Sequence, residues 1–126
     1  MIKYCRETGV GILPWSPLYR GLLARPVDAA PTVRGQALKS HPVFKYMDKS
    51  DESIIRRVEQ IAQKRAWKMS QVALAWLVQG GSVPITGMAT LDRVDEAIAV
   101  KDLKLTEEEI KYLEELYEPK EVSGHS

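Results

Sequence analysis

Two short apolar segments constrain this chain more than any other feature: Val10-Gly11-Ile12-Leu13-Pro14-Trp15 and Ser82-Val83-Pro84-Ile85-Thr86. Their length and their flanking glycines favour buried strands over helices. Pro14 lacks an N–H and belongs at a strand end. Helical stretches lie between the two segments. Strands joined by a helical crossover run parallel, and a parallel strand buried on both faces needs neighbours. Two such strands do not make a stable sheet, and the rest of the sequence reads as helix or loop. The expectation is an α/β fold in which this pair belongs to a larger sheet.

The remaining elements follow from periodicity and caps. Met1 to Thr8 reads as the last turns of a helix whose beginning lies elsewhere, with Gly9 at the left-handed C′ position. Ser16 to Ser50 carries Pro17, Pro26, Pro31 and Pro42 and reads mostly as a long loop, a class that is usually functional or disordered. Asp51 to Trp67 is an amphipathic helix with Ile54, Ile55, Val58, Ile61 and Ala62 on one face. Ser70 is the expected cap of a helix over Gln71–Gln79, apolar nearly all round and therefore deeply buried, which Gly80-Gly81 ends. Thr90 caps a helix with Leu91, Val94 and Ile98 on one face. Thr106-Glu107-Glu108-Glu109 is a capping box opening the last helix, with Ile110, Leu113 and Leu116 or Tyr117 inward. Residues 121–126 are an expected frayed tail.

Charge and cysteine usage narrow the function classes. With 18 Lys+Arg against 17 Asp+Glu, the chain lacks the basic excess of a general nucleic-acid or membrane-surface binder. No run of about 18 apolar residues occurs, and the N-terminus has no apolar core of a signal peptide. A cytoplasmic protein is expected. Cys5 stands alone and reads as an inert thiol. His41 and His125 lack partners at metal-ligand spacing, so no metal site is expected. Glu107-Glu108-Glu109 and Glu114-Glu115 read as helix N-terminal charge and a solvated face.

Two motifs carry chemistry, each directly after one of the apolar segments. Trp15-Ser16-Pro17-Leu18-Tyr19-Arg20-Gly21-Leu22-Leu23 offers a flat aromatic for stacking, a hydroxyl and backbone N–H groups for a diphosphate, and a cation. The bland reading is a Ser-Pro turn after a core tryptophan. Gly87-Met88-Ala89-Thr90-Leu91-Asp92-Arg93 is a glycine turn into a helix N-terminus, an anion site by construction, with Arg93 one turn in. Its bland reading is a capped surface helix with one solvated arginine. Arg25 and Arg34 lie in the long loop, where arginines are usually solvated.

Taken together, these segments resemble the aldo-keto reductase family, in the branch common in fungi and bacteria. The matching stretches are Met1-Ile2…Cys5-Arg6…Gly9-Val10-Gly11, Pro14-Trp15-Ser16-Pro17-Leu18…Gly21-Leu22-Leu23 and Ser70-Gln71-Val72-Ala73-Leu74-Ala75-Trp76-Leu77. Pro84-Ile85…Gly87 and Leu103…Leu105-Thr106-Glu107-Glu108-Glu109-Ile110 follow in order. The resemblance implies a (β/α)₈ TIM barrel, of which residues 1–120 would be the C-terminal part, about strands seven and eight with their helices. It implies NADP(H) as cofactor and a small carbonyl or alcohol as substrate. By position, Trp15 would stack on the nicotinamide, and Ser16, Pro17, Leu18, Tyr19 and Arg20 would hold the diphosphate. Arg34 would lie near the adenosine phosphate. Gly87, Ala89 and Arg93 would face the 2′-phosphate and adenine, and Glu96 the adenine amino group.

The sequence also departs from the family pattern. Ala89 replaces a frequent Ser or Thr, and Ala97 replaces a frequent Asn that reads adenine. The family's catalytic Asp, Tyr, Lys and His motifs are absent, and Tyr4, Tyr19, Tyr46, Tyr112 and Tyr117 do not stand in that context. No catalytic residue is assigned. The expectation is a C-terminal piece of an NADP(H)-dependent reductase, inactive alone and prone to self-association through exposed strand edges. The alternative is a non-catalytic NADP(H)-sensing or interaction module.

Overall fold

The computed structural model describes residues 1–30 and 49–119. In chain order these form α1 (Ile2–Thr8), a 3-10 turn (Tyr19–Ala24), α2 (Lys49–Arg65), α3 (Met69–Gln79), α4 (Leu91–Ile98), a second 3-10 turn (Ala99–Asp102) and α5 (Glu107–Glu114). No described helix is long and apolar enough to cross a membrane.

The apolar segments meet in the parallel sense, through the bridges Ile12↔Ser82 and Trp15↔Ile85. Val83 N–H donates to the Ile12 carbonyl at 2.9 Å, and Ile85 N–H to the Pro14 carbonyl at 3.1 Å. Direction and pairing are thus those the crossover demands. The expected strands, however, do not form among the described residues; only these isolated bridges do. Among the described residues each segment has one partner, and Pro14 and Pro84 have no N–H to extend the ladder. The expected burial fails too. Val10, Leu13, Trp15, Val83 and Ile85 are 54%, 62%, 74%, 65% and 53% exposed, while Ile12, Pro14, Ser82, Pro84 and Thr86 are half-buried. From Gly11 to Trp15 and from Ser82 to Thr86 exposure alternates with period two, giving one covered face and one open face, while Val10 is exposed out of that phase.

The core lies in the helical layer. Ile55, Val58, Ile61 and Ala62 of α2 pack with Met69, Val72, Leu74 and Ala75 of α3, and Val100, Leu105 and Leu113 close the cluster. Leu18, Leu22 and Leu23 of the first 3-10 turn lean on it, as does Trp67. The α2 face is the one its periodicity predicts, save that Ile54 is half-buried.

Three helices end on a left-handed residue that turns the last carbonyls inward. Gly9 (φ 73) lets Val10 N–H reach the Cys5 carbonyl, and Gly81 (φ 81) lets Ser82 N–H reach the Leu77 carbonyl. Both apolar segments are therefore launched from a helix by the same device. The third case is Ala66 (φ 53), between α2 and α3, where Trp67 N–H bonds the Ala62 carbonyl at 2.9 Å. An alanine there is strained by about 1 kcal/mol. It ends α2 at Arg65, two residues before the expected boundary.

Several local expectations are corrected. Helix α3 starts at Met69, with Lys68 rather than Ser70 as its N-cap residue. The Gln71 side chain accepts the Lys68 N–H at 3.0 Å, and the earlier start buries Met69. Burial in α3 stops at Ala75; Trp76 and Val78 are exposed because the last turn runs past the core. Helix α4 has its Thr90 cap but no buried residue, so its Leu91 and Ile98 face is open. Helix α5 has its capping box: Glu109 N–H to Thr106 Oγ1 at 3.2 Å and Thr106 N–H to Glu109 Oε2 at 3.0 Å. Leu113 is buried and Leu116 half-buried, whereas Tyr117 is exposed.

Glu109 does more than cap the start of α5. It is 6% exposed and is gripped by both arms of Arg65, at 2.8 and 2.7 Å. Arg57 makes a parallel tie from α2, bonding the Tyr112 carbonyl and the Glu115 carboxylate while stacking on the Tyr112 ring at 4.1 Å. Gln79 completes the frame, donating to the Leu105 carbonyl and accepting its N–H at 2.9 and 3.0 Å. The expected tail over 121–126 lies outside the described residues.

Candidate functional site

The site is built on the register of the two extended segments. Trp15 pairs with Ile85 in a parallel bridge, so both segments finish at the same edge. The loop from Ser16 and the turn at Gly87 leave from that shared edge. This juxtaposition is the main spatial consequence of the fold for function.

The Trp15 loop is backbone-strained. Ser16, Tyr19 and Arg20 all have positive φ (56, 48 and 57), a conformation costing roughly 1–2 kcal/mol per side-chain-bearing residue. Such clusters persist only where the surroundings hold them, and they concentrate at functional sites. Leu18 and Leu22 hold this one by packing on the core, and Tyr19 Oη donates to Asp51 Oδ2 of α2 at 3.3 Å. Leu18, expected in the diphosphate loop, is thus a packing residue as well. Tyr19 N–H bonds the Ser16 carbonyl, and the Gly21 and Leu23 N–H groups both bond the Leu18 carbonyl. Those three donors, which the sequence offered to a diphosphate, are spent on the loop's own turns. Pro17 and Ser16 are half-buried. The Arg20 guanidinium lies 5.8 Å from the Trp15 ring centroid.

The second turn is open. A Cβ added at Gly87 would meet nothing within 4 Å, and Met88, Ala89 and Arg93 are exposed. Thr90 Oγ1 accepts the Arg93 N–H at 3.4 Å, which spends one donor of the α4 N-terminus on its cap. Glu96 sits one turn on from Arg93, on the same helix face. Its carbonyl accepts from Gln71 Nε2 at 3.1 Å, and its carboxylate lies 4.0 Å from the Lys68 ammonium. Lys68 and Gln71 were missed as neighbours of this corner. Their signal in the sequence is slight: a lysine and a glutamine at the start of a helix. Ala97 packs against the core, which gives a physical reason for a small apolar residue there.

Of the two loop arginines, Arg25 is engaged within its own loop. Arg25 NH1 donates to the Ala30 carbonyl at 3.0 Å. Arg34 lies outside the described residues. The same stretch is tied to α2 by Arg56, which bonds both oxygens of Asp28 at 2.9 and 3.3 Å and holds that carboxyl below its ordinary range, through the hydrogen bond first and its charge second. A shallow depression of about 330 Å³ lies against α5, lined by Glu107, Ile110, Lys111, Glu114 and Glu115. Its lining includes neither chemical motif, and we do not take it as the site.

Comparison with known proteins gives these features a context. The sequence model of the Aldo/keto reductase family matches residues 1–118. An aldo-keto reductase from Fusarium vanettenii is 45% identical over all of this chain and 34% of its own length. The versiconal hemiacetal acetate reductase of Aspergillus parasiticus is 48% identical over 97% of this chain and 36% of its own length. A putative aryl-alcohol dehydrogenase of Schizosaccharomyces pombe is 42% identical over 98% and 35%. The chain therefore spans about a third of the length of these relatives. In fold it is similar to a thermostable aldo-keto reductase solved with the inhibitor epalrestat, with a TM-score of 0.64 at 24% identity over 92% of this chain and 33% of that one. That family's fold is the TIM barrel, and its members are oxidoreductases. With the family pattern running from Met1 to Glu118 and relatives above 40% identity along its length, the chain belongs to the aldo/keto reductase family.

Proposed function

We propose that this chain forms the strand-seven and strand-eight portion of an NADP(H)-dependent aldo/keto reductase barrel and contributes its cofactor-binding loops. The Trp15–Ile85 bridge carries this reading, because it sends the aromatic loop and the glycine turn out of one edge. In a TIM barrel the loops after the strands build the site. When bound, the nicotinamide would supply hydride exchange with a carbonyl or alcohol substrate.

The residues fit part of such a dinucleotide. Trp15 presents a largely exposed flat ring to which a nicotinamide could stack. Arg93 offers a cation at the start of α4, suited to a 2′-phosphate with Gly87 and Ala89 beside it. Glu96 would accept from the adenine amino group. Ala89 and Ala97 supply no side-chain donor, so the adenine end is held by fewer contacts. Ser16, Pro17, Leu18 and Tyr19 would shape the diphosphate path, and Arg34 would add charge near the adenosine phosphate. The chain carries no catalytic Asp, Tyr, Lys and His motifs, so its own share is to bind and orient, and by itself it is expected to be inactive.

Titration with NADPH and NADH, followed by tryptophan fluorescence, tests this. NADPH should bind more tightly than NADH, and Arg93→Ala should weaken NADPH about tenfold or more while leaving NADH nearly unchanged, as expected for one charge-assisted phosphate contact. No response to either nucleotide would leave only an interaction role, which is the second reading. That reading draws on the open apolar face of Leu13, Trp15, Val83 and Ile85, which favours self-association through exposed strand edges. Sedimentation across a concentration series should show mass rising with concentration; a single monomeric species throughout would count against it. A cytoplasmic location is part of the proposal, in keeping with a lone thiol at Cys5.

A further inference from the structure

We infer that Arg20 is a positioning residue for the Trp15 ring and not a holder of the diphosphate: the left-handed turn at Ser16, Tyr19 and Arg20 folds the guanidinium back to 5.8 Å from the indole centroid. The inference rests on the proposed stacking of a nicotinamide on Trp15.

The backbone gives the first reason. Three residues with side chains between positions 16 and 20 hold positive φ, and Gly21 follows at φ 96. Such a run reverses the chain direction within one turn. Its ends are fastened: Leu18 and Leu22 dock on the helical core, and the Tyr19 hydroxyl bonds Asp51. The Tyr19 and Gly21 amides on either side are spent on the same closure, which fixes the Arg20 backbone where its side chain lies beside Trp15.

Electrostatics gives the second. A guanidinium within about 6 Å of an indole face is attracted by the ring quadrupole. Trp15 is 74% exposed, so few packing contacts fix its ring, and a cation on one side biases which way the indole lies. A nicotinamide needs that ring in one orientation. By keeping it there, Arg20 lowers the ordering cost of stacking.

The test uses the full chain, Arg20→Met and Arg20→Lys, with two readouts. The first is the indole N–H resonance of Trp15 by NMR, without ligand. The second is affinity for reduced nicotinamide mononucleotide, inorganic pyrophosphate and adenosine 2′,5′-bisphosphate. Expected for Arg20→Met are a shifted Trp15 resonance, roughly two- to fivefold weaker mononucleotide binding, as for an exposed cation–π contact, and unchanged binding of the other two probes. Arg20→Lys should restore part of the mononucleotide affinity. The inference is overturned if the resonance stays put, or if pyrophosphate binding falls severalfold with a reduced salt dependence. If the parent chain binds none of the probes, the cofactor reading fails by itself. The resonance then still decides whether Arg20 holds the ring: a shift supports the contact and no shift removes it.

Discussion

The helical layer and the extended pair of this molecule are built to different degrees of completeness. Helices α2, α3 and α5 bury Ile55, Val58, Val72 and Leu113 against one another and lock the seams with Arg65–Glu109, Arg57–Glu115 and the Gln79–Leu105 pairing. The extended segments share two bridges and leave five large apolar side chains in the open. Helices satisfy their backbone hydrogen bonds within themselves, whereas a strand depends on what lies beside it. A chain can therefore complete its helical layer and still leave its extended segments open on one side.

The comparison can be broken most directly at the core. Ile55→Ala should cost about 2–5 kcal/mol in urea unfolding, while Leu13→Ala on the open segment should change stability by less than about 0.5 kcal/mol. Equal losses at both sites would mean that the extended pair is covered in solution. Next comes Glu109. Its carboxyl is held below the ordinary range, first by the Arg65 hydrogen bonds, with the Thr106 N–H and the charges of Arg65 and Lys64 assisting and burial opposing. A carboxyl with a lowered folded-state pKa contributes stability that is complete above its unfolded value and is lost as pH falls through the folded one. Glu109→Ala should cost about 1.5–3 kcal/mol near neutral pH and should flatten the decline in stability below about pH 4. A decline of undiminished slope would remove this pair as its cause.

Smaller effects sharpen the same contrast. Thr106→Ala should cost about 1 kcal/mol, since its cap is reciprocal and sits beside the core. Thr90→Ala should cost less, because its one bond is long and exposed. Matching losses would show that α4 is packed in solution. Smallest, and opposite in sign, Ala66→Gly should stabilise by up to about 1 kcal/mol by relieving the left-handed alanine. A loss on thermal melting would mean that the turn tolerates its Cβ without strain.

The parts of the fold that were legible are those written in local pattern. The i, i+3, i+4 spacing of α2, the Gly9 and Gly81 caps and the Thr106–Glu109 box depend on residues a few positions apart. The parallel sense of Val10–Trp15 and Ser82–Thr86 was legible from the long helical connection between them, the arrangement that parallel strands require. The burial of Glu109 was not legible, because it depends on Arg65, 44 positions earlier. Ser70 was misread as a cap because a neighbour with no capping side chain, Lys68, took the place once Gln71 reached back. In the candidate site, Trp15 and Arg93 could be named from motif and chemistry. The left-handed turn at Ser16, Tyr19 and Arg20 could not, since none of those residue types signals positive φ.

By itself the sequence determined which stretches are helical, which are extended, and that the extended ones run side by side in one direction. Propensity, capping and connection length act over short distances and need no knowledge of the rest of the molecule. Only the tertiary structure decided that the apolar segments stay half open, that α4 buries nothing, and that Arg20 turns back over Trp15. Those outcomes depend on which surfaces meet, and burial is a property of neighbours distant in the chain.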